Sequence, residues 1–320
     1  MRRVCFIGQR FWAERLAGLV NEHAGGSPLR ASFVDGGNAR AVLGSYGLFG
    51  SADLFVRVGF RPGSPTRRGV LFDALWTASR MVRRSARRAY LWIGTDVFST
   101  LADTRAGSLS PFFAAERDGP AHWTTAPWLL EELAGVGIQA EMVRFPDRSL
   151  AAPASEGLPA EFRVLSYIPD QRFAFYGGPT IQAVAERLPS VPFDVVGGRG
   201  GWAAGGPTNL VFHGWQADLV PFYDRSTLVV RMVEHDAIGG SVREGLAMAR
   251  HVAYSYPLPH THHVRFGDAA SLVEIVESLA DRHRAGALEP NVAGREFMRR
   301  EFDAATLSRH LIEKCLNLIG

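Results

Sequence analysis

The chain has 320 residues, is 47% hydrophobic and 21% charged, and carries a formal net charge of +3. These values exclude wholesale disorder and a fibrous repeat, and the length suits two domains. The basic residues are nearly all arginine, Lys314 being the sole lysine, so the mild charge reads as compositional bias and nucleic acid is not an expected partner.

No stretch approaches the ~18 apolar residues of a membrane span, and the apolar run in MRRVCFIG is too short for a signal peptide. The chain therefore reads as cytoplasmic. Cys5 and Cys315 offer neither a disulfide framework nor metal-ligand spacing.

In chain order, Arg3–Gly8 predicts a strand and Phe11–His23 a helix with 3.6-residue periodicity. Further strands are expected at Leu29–Val34, Asp53–Gly59, Tyr90–Ile93 and around His122–Thr124. Helices are expected at Leu71–Arg88 and Pro127–Ala134. Residues Ser149–Pro159 are small, Pro-rich and aperiodic, as in a linker. The alternation then restarts, with strands at Arg163–Tyr167, Phe193–Val196, Leu210–Phe212, Leu228–Arg231 and Val252–Ser255. Helices are expected at Pro179–Leu188, Asp218–Tyr223 and Ser241–Ala249. Ala305–Leu318 is a last helix with the choice of either half to pack on. Such alternation calls for two parallel-sheet, Rossmann-like domains, residues 1–155 and 156–320, facing a cleft, with ligands at the carboxyl ends of the strands.

The segment richest in chemistry is RMVEHDAIGGSVREGLAMARHVAYS, Arg231–Ser255. Gly239 and Gly240 let backbone amides approach a ligand, and the helix they open supplies positive dipole for a diphosphate. Ser241 followed three residues later by Glu244 also fits a capping box, so Glu244 has a purely structural alternative.

The stretch Asp236–Val252, DAIGGSVREGLAMARHV, resembles the donor-site signature of family-4-type GT-B glycosyltransferases, E-G-F-G-x-x-x-x-E-A-x-A-x-G-x-P-V. Asp236 and Glu244 fall on its two acids, Gly239 on its second glycine and Val252 on its closing valine. Asp236 for Glu, Ala237 for Gly, Gly245 for Ala, Ala249 for Gly and His251 for Pro are departures that keep the spacing. Other segments resemble the family in order: SYIPDQRFAFYGG (Ser166–Gly178), His213-Gly214-Trp215, LWIGTDVF (Leu91–Phe98) and WTTAPWLLEELAGVGI (Trp123–Ile138).

The resemblance implies a GT-B fold and transfer of a hexosyl or related sugar from a nucleotide-sugar to an acceptor hydroxyl, retaining and without a metal or other cofactor. It implies that Glu244 binds the ribose. Asp236, Gly239, Gly240 and Ser241 would lie beside the sugar and diphosphate, and Arg172 with Gly177 and Gly178 would serve the phosphates. Asp236 and Asp96 are the catalytic candidates. The acceptor would be a sugar, a lipid-linked molecule or a small molecule. The alternatives are a non-catalytic partner subunit of the same fold and a nucleotide-sugar epimerase.

Several residues have two readings. Asp96 would orient an acceptor, or cap a turn. His122 would reach the cleft, or be an ordinary partly buried histidine. Arg10 follows the Gly8 loop, where the family contacts its acceptor with more glycine than this chain has. His260, His262 and His263 read as a surface loop, and the glycines at 197–201 and 205–206 as loop punctuation. Arg80, Arg83, Arg84, Arg87 and Arg88 crowd one expected helix, which would either touch the anionic inner face of a membrane or be a solvated face.

Overall fold

A computed structural model describes residues 1–36, 38, 44, 46–59, 61–145 and 157–320. The chain divides into two compact units, Met1–Asp147 with Phe302–Gly320, and Arg148–Glu301. Most of the expected linker, residues 149–159, lies outside the described residues.

The first unit is a parallel sheet of β1 (Arg2–Gly8), β2 (Leu29–Asp35), β3 (Leu54–Val58), β4 (Arg87–Trp92), β5 (Ala121–Thr124) and β6 (Glu141–Met142), in spatial order β2-β1-β3-β4-β5-β6. Strand β3, LFVRV, is buried at every position, as an inner strand covered on both faces should be. Around it run α1 (Arg10–His23), α2 (Tyr46–Ser51), α3 (Arg67–Val82), α4 (Thr95–Arg105), α5 (Pro111–Glu116) and α6 (Pro127–Gly135). Helix starts follow local chemistry. Thr66 accepts from the Gly69 amide and Ser110 from the Phe113 amide, while Pro111 and Pro127 open their helices where no N–H is needed.

The second unit has β7 (Val164–Tyr167), β8 (Phe193–Val196), β9 (Leu210–Phe212), β10 (Leu228–Arg231), β11 (His251–Tyr254) and β12 (His262–His263). Their order is β12-β11-β10-β7-β8-β9, again all parallel. Its helices are α7 (Gly178–Arg187), α8 (Val220–Asp224), α9 (Gly240–Ala247), α10 (Ala269–Arg284) and α11 (Val292–Glu301). The last helix, α12 (Ala304–Ile319), belongs to the first unit, where Leu311, Ile312 and Cys315 join the core of Val4, Phe6, Leu16 and Val56. Among the described residues no helix is long and apolar enough to cross a membrane.

The expected helix at Leu71–Arg88 is corrected. Helix α3 ends at Val82 and the chain is a strand again from Arg87, so of the five arginines only Arg80 is helical. Three of them are also engaged: Arg80 with Glu116, Arg83 with Asp53 at 3.2 Å, and Arg88 over the rings of Phe55 and Trp76. The basic helical face that would have met a membrane is therefore not formed.

Candidate functional site

The second unit brings three loops together at the carboxyl edge of its sheet. Strands β7 and β10 are parallel neighbours, with Leu228 opposite Val164. The loop after β7 docks on the loop after β10 through the Glu234 amide, which donates to the Phe175 carbonyl at 2.9 Å. Gly177, at φ +68°, is pressed so closely on Met232 that an added Cβ would lie 2.6 Å from that residue's Cβ and carbonyl oxygen. The loop after β8 is tied in by Asp170, whose carboxylate accepts from the Arg199 amide at 2.8 Å and the Gly200 amide at 3.0 Å.

Asp236 sits within the β10–α9 loop with its carboxylate fully engaged. Arg231 donates to both oxygens, Nε to Oδ2 at 2.9 Å and Nη2 to Oδ1 at 3.1 Å. The Gly239 amide donates at 3.0 Å and the Tyr254 hydroxyl at 3.2 Å. Burial works against the Arg231 charge, but the adjoining Asp236 carboxylate outweighs it and holds the guanidinium more firmly protonated than usual. The Arg231 guanidinium also lies 4.9 Å from the centre of the Tyr176 ring, which links the pair to the Gly177 loop. A Cβ on Gly239 would fall 2.7 Å from both Asp236 and Arg231, so glycine there is a packing requirement. With four donors on its two oxygens, Asp236 braces the loop and the start of α9.

The N-cap of α9 is Gly239 and makes no side-chain cap. Ser241 is the second residue of the helix, and its buried Oγ has no hydrogen-bond partner among the described residues, so the capping-box alternative for Glu244 is not realised. The Oε2 of Glu244 instead accepts from the Tyr223 hydroxyl at 2.6 Å. Beyond the chain neighbours and the helix's own backbone, its Oε1 is the one atom of the described residues within 4 Å of a Cβ built on Gly240, at 3.6 Å. Arg172 closes the short 3-10 turn Asp170–Arg172 and is exposed, its guanidinium 3.9 Å from the centre of the Phe175 ring. Gly178 opens α7, held by its amide on the Phe173 carbonyl at 2.8 Å. One edge thus carries a carboxylate beside a helix N-terminus, and an arginine on the loop docked against it. That is a combination suited to a phosphorylated, hydroxyl-bearing ligand.

The other candidates lie elsewhere. His262 is in β12, with its ring 5.8 Å from that of His251, while the His260 ring lies by Phe297. Among the described residues no three His, Cys, Asp or Glu side chains gather as a metal site requires. In the first unit, Arg10 pairs with Glu14 one helical turn on. His122 is buried, accepts from the Trp92 indole at 3.1 Å, stacks on Tyr90 and faces the Arg117 carbonyl at 2.9 Å, and burial lowers its pKa. That is the ordinary buried histidine.

Asp96 is 5% exposed, and its carboxylate accepts from the amides of Ile93 and Val97 at 3.0–3.2 Å. The side chain closes the turn between β4 and α4. Burial, against the pull of these amides, pushes its pKa up to about 6. The folded state therefore binds this proton more tightly than the unfolded chain, and the group's contribution to stability falls as pH rises through the interval from about 4 to about 6. Asp96→Asn removes that titration. The stability of the variant relative to wild type should rise by about 2–3 kcal/mol between pH 4 and pH 7. Urea unfolding at both values measures this, and a constant difference would refute it.

No family model and no curated protein matches the chain. Solved structures do. A sucrose-phosphate synthase from Thermosynechococcus elongatus is 13% identical, with a TM-score of 0.72 and 99% of each chain covered. A glycosyltransferase from Rickettsia africae is also 13% identical, with a TM-score of 0.67 over 99% of this chain and 98% of that one. The fold is GT-B. A UDP-GlcNAc 2-epimerase from Neisseria meningitidis is more distant, 10% identical at a TM-score of 0.53 over 99% and 100% of the two chains.

Sequence alone does not single out two groups that organise this GT-B chain's candidate site, Arg231 and Tyr223. An arginine closing the apolar run LVVR is a charge in want of a partner, and that was the available signal for the first. Tyr223 gives none, since its partner is 21 residues away.

Proposed function

We propose that the chain is a glycosyltransferase that moves a hexosyl or related sugar from a nucleotide-sugar to an acceptor hydroxyl. The observation carrying this reading is Glu244, freed from any capping task, standing with the Gly239–Ser241 start of α9 on the edge where the Arg172 loop docks. In this reading one Glu244 oxygen takes a ribose hydroxyl. The α9 amides and Arg172 take the diphosphate and stabilise it as it leaves with growing negative charge. Gly177 keeps the Arg172 loop close against the β10 loop, and the Gly178 amide closes the Arg172 loop on the Phe173 carbonyl. That positive charge comes from the chain itself, in keeping with metal-independent transfer, and the family-4 resemblance supports retention. Asp236 acts by holding the loop, and no protein nucleophile is assigned. The acceptor would be a sugar, lipid-linked or small molecule.

The test is binding of UDP, GDP, ADP, CMP and dTDP with and without magnesium. One nucleotide should bind without the metal, and Glu244→Ala should weaken it at least ~10-fold, as loss of a hydrogen bond to a charged group does. Arg172→Ala should weaken the diphosphate more than the nucleoside. Unchanged affinity in Glu244→Ala would overturn the ribose role.

A second reading, a non-catalytic partner subunit, is favoured by the full occupation of the Asp236 carboxylate. Product analysis separates the readings. A transferase releases nucleotide only with an acceptor, an epimerase changes the donor alone, and a binding subunit does neither.

A further inference from the structure

The hydrogen bond from Tyr223 to Glu244 crosses from α8 to α9 and is among the shortest side-chain contacts of the second unit, at 2.6 Å. The tyrosine is 2% exposed, so its ring is fixed by packing, and its backbone is held by the Leu219 carbonyl at 3.0 Å. Burial, reinforced by the Glu244 charge, raises its pKa well above the usual phenol value. The hydroxyl therefore keeps its proton and donates. Glu244 is only partly buried and, left alone, has a flexible side chain. The contact pins Oε2 on the buried side, while Oε1 lies toward Gly240, where, beyond the helix's own backbone and chain neighbours, no other atom of the described residues stands within 4 Å of a Cβ position.

We propose that Tyr223 is a positioning residue for the nucleotide, holding Glu244 by Oε2 so that Oε1 is presented to a ribose hydroxyl. The proposal rests on the donor-site reading above. Its physical basis is that a side chain already ordered in the free protein loses less freedom when the ligand arrives. A tyrosine that served only the fold would affect all ligands alike, whereas one acting through Glu244 affects only ligands that carry the hydroxyl.

The experiment compares UDP, GDP and ADP with their 2′,3′-dideoxy forms on the wild type, on Tyr223→Phe and on Glu244→Ala, by calorimetry, with melting recorded for each. The wild type should prefer the ribo form, and Glu244→Ala should lose that preference. Tyr223→Phe should narrow it about 3–10-fold while the dideoxy affinity stays constant. Equal weakening of both forms, or an unchanged preference, overturns the positioning role while the donor-site reading stands. A wild type that binds none of these three and neither CMP nor dTDP overturns the donor-site reading itself, and the positioning role with it. Should the melting of Tyr223→Phe fall sharply, Tyr223→Met removes the same hydroxyl and reads the same ratio.

Discussion

Asp236→Ala is expected to destabilise the second unit by about 3 kcal/mol or more, because it strands the Arg231 guanidinium with its charge buried. The two side chains are 10% and 12% exposed and meet through two hydrogen bonds, so solvent does little to screen the loss. The Gly239 amide and the Tyr254 hydroxyl lose an acceptor in the same change. Asp236→Asn keeps one oxygen and should cost less. The double variant Arg231→Met, Asp236→Ala should recover much of the single variant's loss, since removing both ends of a buried pair leaves no uncompensated charge. Chemical denaturation of the three variants measures this. A single variant within about 0.5 kcal/mol of wild type, as for an ordinary surface substitution, would refute the brace. So would a double variant as unstable as Asp236→Ala.

The brace also explains what was legible in the sequence and what was not. The inner strands were readable because each is a short apolar run between turn residues, buried on both faces; β3 and β10 need no partner information to be recognised. The β10–α9 loop was readable as a site because glycines before a helix suit an anion whatever the rest of the chain does. Its cap was not. The pattern Ser241-x-x-Glu244 fits a capping box locally, but Asp236 takes the Gly239 amide and turns the chain early, so the helix begins before Ser241 reaches the cap position.

The same limit governs the arginine-rich stretch after Trp76. Arginine and alanine favour helix, and nothing local stops α3 at Val82. What stops it is pairing of Arg87–Leu91 with Leu54–Val58, together with the burial of Tyr90 and Trp92, which tertiary contact alone decides. The turn-capping role of Asp96 is open to sequence because its backbone partners Ile93 and Val97 are near in the chain. The Tyr223–Glu244 and Asp170–Gly200 contacts span 21 and 30 residues and belong wholly to the fold.

Gly177→Ala should be strongly damaging to the second unit, at about 2–4 kcal/mol. Its φ of +68° and ψ of 23° place it in the left-handed region, which costs a side chain about 1–2 kcal/mol. The added Cβ would also lie 2.6 Å from the Met232 carbonyl oxygen, backbone that no rotamer change can clear, which is overpacking of about 1–3 kcal/mol. Relief requires the loop carrying Arg172 to draw away from the loop carrying Asp236, so nucleotide affinity should fall along with stability. Gly240→Ala is the contrasting case. It adds the same methyl at the first position of α9, where, beyond the chain neighbours and the helix's own backbone, Glu244 Oε1 at 3.6 Å is the one atom of the described residues within 4 Å. Helix propensity there should leave stability unchanged or raised by up to about 1 kcal/mol. Denaturation midpoints compare the two directly. If Gly177→Ala proved as harmless as Gly240→Ala, the close docking of the two loops would be wrong. If Gly177→Ala lost stability but kept full nucleotide affinity, Arg172 would not depend on that docking for its place at the phosphates.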